Sequence, residues 1–246
     1  MTNRLKIPSI GIVGGAGPMA GVLLFQKIVQ ICQQKYGCKV DADFPAITLH
    51  SYPFLDMLQG VDAAKIKLLQ KQVDECFFKL LQSGSRIVAI ACNTLHEFLP
   101  QTLPDSIAFV HMIAETAKVL QNSQIQKAFV LASTTSVRCR LHTKYFECEY
   151  PEDELQVELQ KLIDKILAGK QCKKDAEQLA ELVNAQLKSK RTEKIAVVLG
   201  CTEFSIFNEE FPLQLNGLEA AFTVFDPNEV VAEQICKQVF NNKCNE

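Results

Sequence analysis

A degenerate repeat runs through this chain of 246 residues. Ile10–Pro18 (IGIVGGAGP), an apolar run entering a loop of small residues, is echoed by Ala128–Ser136 (AFVLASTTS). Arg86–Thr94 (RIVAIACNT) is echoed by Lys194–Thr202 (KIAVVLGCT), and each of these runs ends on a cysteine followed by polar residues. A repeat on this scale implies two similar halves. Between the echoed runs, short β-branched stretches alternate with longer helical ones, the pattern of an α/β fold with parallel sheets. In the first half, strands are expected at Ile7–Val13, Ala46–Ser51, Arg86–Ala91 and Ile107–Val110. Helices are expected at Met19–Tyr36, Asp62–Gln82 and Ile113–Gln121. The second half repeats the scheme with strands at Lys127–Ala132 and Lys194–Gly200 and helices at Glu152–Leu167 and Lys174–Lys190. A last strand at Phe222–Phe225 precedes a helix over Glu229–Phe240 that Asp226-Pro227-Asn228 caps. The fold class predicted is α/β, two similar domains, each a mainly parallel sheet flanked by helices and pseudo-symmetric about a central cleft. Crossings are expected near residues 112 and 215, giving a first domain of residues 1–112 plus about 215–246 and a second of 113–214.

Composition narrows the partners. Hydrophobic residues make up 48% and charged residues 22%, with a formal net charge of -2. That is ordinary globular usage, without the basic field that gathers nucleic acid or an anionic membrane. No signal peptide and no apolar run of bilayer length is legible, so a cytoplasmic setting and a small-molecule partner are expected. Ten cysteines are many for this length, but no CxxC or paired Cys/His spacing occurs, which argues against zinc and against a disulfide framework. Most are read as small buried hydrophobes.

Cys92 and Cys201 are read differently, because each directly follows an apolar strand. At the carboxyl ends of parallel strands, side chains leave the sheet and face the crevice where α/β ligands bind. A pair has a chemical use: inverting a stereocentre at Cα means removing a proton on one face and returning it on the other, so two acid–base groups are required. Thiols suit this chemistry, since a positive environment or a helix start lowers their pKa toward neutrality. Taken alone, each cysteine reads more readily as buried strand-end packing; it is the shared context of the two that favours a functional pair.

Gly14-Gly15-Ala16-Gly17-Pro18 lacks the Lys-[Ser/Thr] of a phosphate loop and the spacing of a dinucleotide fingerprint. Exposed amides ahead of a helix make a carboxylate site in its place, although a tight turn needing small residues reads the same. Ser133, Thr134, Thr135 and Ser136 occupy the matching place in the second half, as ligands or as turn and capping residues. Ser51 ends its strand within reach of the crevice. His96, four residues after Cys92, would share a helix face with it and allow a Cys–His nucleophile pair. His111 follows an apolar strand and reads either as a site residue or as a satisfied core histidine. The Lys and Glu clusters between Glu152 and Arg191 read as solvated helix faces.

Taken together, GIVGGAGP, ACNTLH, FVHMI, VLASTTS and VLGCTEF resemble, in order and spacing, the aspartate/glutamate racemase family, in particular its aspartate racemase branch. The resemblance covers nearly the whole chain. It implies a cofactor-independent amino-acid racemase or epimerase with a site in a cleft between two domains, no pyridoxal phosphate or metal, and a homodimer. It also implies that the final strand and helix return to the first domain. By position, Cys92 and Cys201 match the two catalytic cysteines. Gly15, Ala16, Gly17, Asn93, Thr94, Ser133, Ser136 and Thr202 match residues that hold the substrate's amino and carboxylate groups; Ser51 and Thr135 join them as candidate contacts by their place at strand exits, and Glu203, a further candidate contact, stands where glutamate racemases usually carry His. Two basic residues of aspartate-selective relatives have no counterpart: Tyr52–Leu58 holds none, and Leu167-Ala168 precede Gly169 where a Lys is usual. The same residues admit two other readings. One is an isomerase or decarboxylase of dicarboxylic acids that attacks through a cysteine. The other is a metabolite-binding regulatory module that has lost its activity.

Overall fold

The computed structural model describes residues 7–57, 61–100, 103, 105–188, 195–214 and 222–241. It divides into two compact units, the first formed by Met1–Leu55, Asp62–Glu115 and Asn228–Glu246, the second by Asp56–Val61 and Thr116–Pro227.

In the first unit the chain runs β1 (Ile10–Gly14), α1 (Pro18–Tyr36), β2 (Ile47–Ser51), α2 (Ala63–Gln82), β3 (Ile87–Ile90), β4 (Ala108–Val110) and α3 (Met112–Asn122), the last straddling the unit boundary. The four strands form one parallel sheet in the order β2-β1-β3-β4. β1 and β3 are buried along their whole lengths, which is why they read as continuous apolar runs and not as alternating ones. α1 starts from Gly17 in the left-handed region with Pro18 in its first turn, and stops at Gly37, whose N–H bonds Cys32 O. α2 starts where Asp62 Oδ1 accepts the Lys65 N–H at 2.8 Å.

The second unit contains β5 (Lys127–Val130), α4 (Thr134–Arg138), β6 (Cys148–Glu149), α5 (Asp153–Leu167), α6 (Lys173–Leu187), β7 (Ile195–Val198), α7 (Thr202–Glu210) and β8 (Phe222–Phe225). Its sheet is also parallel, in the order β6-β5-β7-β8. α5 buries Leu155, Leu159, Leu162, Ile163 and Ile166, the three- and four-residue spacing of a single stripe. Those side chains meet Leu179 and Val183 of α6, Val197 of β7 and Phe204 of α7 in one core. Each fully buried Leu or Ile there contributes roughly 1.5–3 kcal/mol. The opposite face carries charges such as the Lys161–Glu158 pair, so the reading of these helices as solvated on one side holds.

The last strand departs from expectation. Residues from about 215 onward are expected in the first domain, yet β8 pairs with β7, Val197 opposite Val224, and buries Phe222 in the second unit's core. Its apolar FTVF run extends the sheet beside β7. α8 (Pro227–Asn241) alone belongs to the first unit from Asn228 on. The expected crossing at 215 and the end of the helix expected to reach Lys190 lie outside the described residues. Three elements are not among those expected from the sequence pattern: the two-residue β6 and the five-residue α4, both too short for periodicity to register, and the nine-residue α7. Among the described residues, no helix is long and apolar enough to cross a membrane.

Candidate active site

In the first unit, sheet order places three expected site segments at one carboxyl edge. β1 lies between β2 and β3, with Gly14 opposite Ser51 and Val13 opposite Ile90. The exits of these strands are Ser51, the Gly15–Gly17 loop, and Ala91 followed by Cys92. Gly15 has φ +104°, and a Cβ on it would lie 2.0 Å from Tyr52 O. Only glycine fits that turn, which the Tyr52 N–H to Gly14 O bond at 2.9 Å fastens. The loop then delivers the amide-rich start of α1 to the same edge.

Cys92, Asn93 and Thr94 are buried, and the chain turns over a 3-10 turn at Thr94–Phe98. His96 sits in this turn. Its Nδ1 is 2.8 Å from Cys92 O, and its Nε2 accepts the Met112 N–H at 3.2 Å. The acceptor role of Nε2 leaves the proton on Nδ1, which donates to the Cys92 carbonyl. Both ring nitrogens thus brace backbone, tying the exit of β3 to the start of α3. The Cys–His nucleophile pair that the spacing allows is not what this imidazole builds. His111 braces backbone in a similar way. Its Nδ1 accepts the Ala114 N–H at 3.2 Å in the first turn of α3, its ring lies 4.4 Å from that of His96, and burial lowers its pKa.

The second unit presents the matching edge. β5 leads through Leu131 and Ala132 to Ser133, and β7 leads through Leu199 and Gly200 to Cys201; the two strands are parallel neighbours, Val130 opposite Val198. Ser133 caps α4, its Oγ accepting the Ser136 N–H at 3.3 Å and donating to Ser136 Oγ at 3.2 Å. Thr135 Oγ1 donates to Met57 O. From α5, Gln160 Oε1 accepts the Thr134 N–H at 3.0 Å, and Gln156 Nε2 donates to Ala132 O at 3.0 Å. The polar loop legible in the sequence is therefore a short capped helix, held from behind by two glutamines that carry no sequence signal of that role.

Cys201 is the N-cap of α7 and is buried, like the Thr202 and Glu203 that follow it. Its Sγ donates to Glu203 Oε2 at 2.8 Å. Burial raises the pKa of Glu203, while the bonds from Cys201, its own backbone and Thr202 act against the rise. Glu203, expected among the substrate contacts, is engaged with the thiol. The pair can hold one proton in two ways, as thiol with carboxylate or as thiolate with carboxylic acid.

Behind Cys201 is a residue that the sequence does not single out. A Cβ on Gly200 would lie 2.4 Å from Val130 Cγ1 and 3.0 Å from His142 Nε2, so the backbone passes close against that imidazole. His142 is fully buried, and burial holds its pKa down to about 3, so it is neutral across the physiological range. Its backbone N–H donates to Tyr150 Oη at 3.0 Å, and its Nδ1 lies 3.3 Å from the same oxygen. The one available signal is the glycine directly before Cys201. Among the described residues, no group of three or more His, Cys, Asp or Glu is arranged to hold a metal ion.

Comparison with known proteins places the chain among relatives of the same fold. A family model described as Asp/Glu/Hydantoin racemase matches residues 13–235. The broad specificity amino-acid racemase RacX of Bacillus subtilis (strain 168) is 26% identical over 166 residues, 65% of this chain and 70% of that protein. Among solved structures, an aspartate racemase homologue from Pyrococcus horikoshii OT3 superposes with a TM-score of 0.69 at 21% identity, over 94% of this chain and 98% of the other. The Picrophilus torridus aspartate racemase does so at 0.68 and 21% identity, over 94% of each chain. These superpositions show the same two-unit α/β fold.

Proposed function

Since the chain belongs to the Asp/Glu/Hydantoin racemase family, and is an isomerase on that ground, we propose that it racemises or epimerises amino acids by passing the α-proton between Cys92 and Cys201. The observation that carries this reading is the likeness of the two edges. In each unit an interior parallel strand ends on a buried cysteine, beside a loop of small or hydroxylated residues that opens a helix. In this mechanism one cysteine is thiolate and removes the α-proton, while the other is thiol and supplies one to the opposite face. Glu203 holds the proton of Cys201 when that sulfur serves as base, without a change in net charge. His96 fixes the carbonyl of Cys92 and hence the exit of its side chain. The Gly15–Gly17 loop with the start of α1, and Asn93, Thr94, Ser133, Ser136 and Thr202, bind the amino and carboxylate groups.

We read the substrate class as broad and not aspartate-specific. Support comes from the missing basic residue in Tyr52–Leu58 and from the likeness to a racemase named for broad specificity. The test is incubation of the purified protein with a panel of L-amino acids in D2O, followed by α-deuteration and chiral analysis. Deuterium at Cα accompanied by the D-form of at least one amino acid is expected. Exchange with no D-product from any substrate would remove the two-base reading, and no exchange at all would leave a binding module.

A further inference from the structure

On the helices that flank its sheet, the first unit holds a second group of thiols that the proposed reaction does not use. Cys32 on α1 and Cys236 on α8 are each 0% exposed, and their sulfurs lie 3.9 Å apart. Cys236 Sγ also reaches the α1 backbone, 3.7 Å from Ile28 O. Around this contact the two helices meet in matched layers. Lys35 pairs with Glu233 at the surface, and the Tyr36 and Phe240 rings stack at 4.3 Å and 16°. Lys35 and Tyr36 lie three and four residues beyond Cys32, while Glu233 and Phe240 lie three before and four after Cys236, so each set shares one helix face. An ion pair and a ring stack therefore hold the two sulfurs against one another.

We propose that Cys32 and Cys236 form a redox-active thiol pair that small-molecule disulfides convert into a single bridge between α1 and α8. One protein thiolate attacks the disulfide RSSR, forming a mixed protein disulfide and expelling RS⁻. The other attacks the protein sulfur of that bond, forming Cys32–Cys236 and expelling the second RS⁻. The two protein thiols lose two protons and two electrons, which leave in two RSH, and a dithiol reverses the exchange. The hydrogen bond from Cys236 lowers the Cys32 pKa and raises that of Cys236, which makes Cys32 the attacking group. Because both sulfurs are buried, the rate is set by local opening of α8. Closure needs the sulfurs to move from van der Waals contact to about 2.05 Å, a change that side-chain rotation accommodates when the helices are already packed. The bridge would join helices that are far apart in the chain, which favours a large stabilising effect.

The test uses the intact, fully reduced protein with oxidised glutathione, with and without sub-denaturing urea to open α8, then alkylation, proteolysis and mass mapping. A Cys32–Cys236 linked peptide is expected, with a Tm raised by roughly 5–10 °C and restored by dithiothreitol. Cys236→Ala and Cys32→Ala should each lose both the linked peptide and the shift. Glutathione adducts alone, a bond from Cys32 to Cys38, the buried cysteine just past the end of α1, in place of the bridge, or no bond even in urea would overturn the proposal. This outcome does not depend on whether the protein racemises anything, because the readout is a mapped bond and a melting temperature.

Discussion

A carboxylate buried against a thiol shares one proton with it, and the balance between the two forms is set by how hard burial presses on each charge. At Glu203 burial raises the pKa, so the carboxyl is unusually willing to take the proton that Cys201 would give up in the proposed mechanism. Glu203→Gln should lower kcat by on the order of 10²-fold or more. Its stability should move the other way. A carboxyl whose folded pKa lies above its unfolded value gives stability at low pH that is lost as pH rises through the folded pKa. Near pH 8 the glutamine variant should thus melt at the same temperature or higher, and a lowered Tm there would show a structural role. The cysteines can be separated by isotope exchange. Cys92→Ala should abolish racemisation but leave solvent deuterium entering Cα of one enantiomer, and Cys201→Ala should leave the other. Two single variants that both keep appreciable racemisation would rule out the two-thiol scheme. For His142 the sign is opposite to that of Glu203: the folded pKa of about 3 lies below the ordinary 6.5. The unfolded chain binds the extra proton between those values, so stability should fall below about pH 6.5, by up to about 1.4 kcal/mol per pH unit from this group. His142→Gln should flatten that slope in urea titrations between pH 4 and 6.5.

At the scale of elements, the proposed site depends on how strands stop. Gly15 and Gly200 stand just past β1 and β7, where a side chain would strike backbone or a packed neighbour. Gly15→Ala combines positive φ with a collision on Tyr52 O and should cost about 1–3 kcal/mol in strain, before any damage to the loop is counted. Gly200→Ala should displace Cys201 and reduce activity even where the protein still folds. Gly37→Ala is the control: φ is +68° at the end of α1, but nothing lies within 4 Å of a new Cβ, so about 1 kcal/mol should be lost with activity intact. Urea melts paired with activity assays on the three variants separate these cases, and equal activity in all three would contradict the account. The strands and long helices are legible in the sequence because burial on one face or both imposes a period on the residues. α4, β6 and the turn at Thr94–Phe98 are not, since they exist through capping bonds from Ser133, pairing with β5, and the His96 brace.

For the molecule as a whole, the open chemical question is which side chain the substrate carries. A carboxylate closed into a site without a cationic partner carries a desolvation penalty of several kcal/mol, which is a discrimination of orders of magnitude. Among tested amino acids, aspartate should therefore turn over weakly beside neutral or longer side chains. A strong preference for aspartate in side-by-side kcat/KM measurements would show that another cation, Lys165 in the last turn of α5 or Lys170 just after Gly169, serves it. The sequence by itself determined the α/β class, the doubled plan and the place of Cys92 and Cys201 at strand exits, because apolar runs that end on polar residues must leave a parallel sheet at its carboxyl edge. Only the tertiary structure decided that Phe222–Phe225 completes the second sheet, that His96 and His142 are neutral braces, and that Glu203 faces the Cys201 thiol. The physical reason is that periodicity records whether a residue is buried, whereas strand partners and the protonation of a buried group depend on neighbours brought from distant parts of the chain.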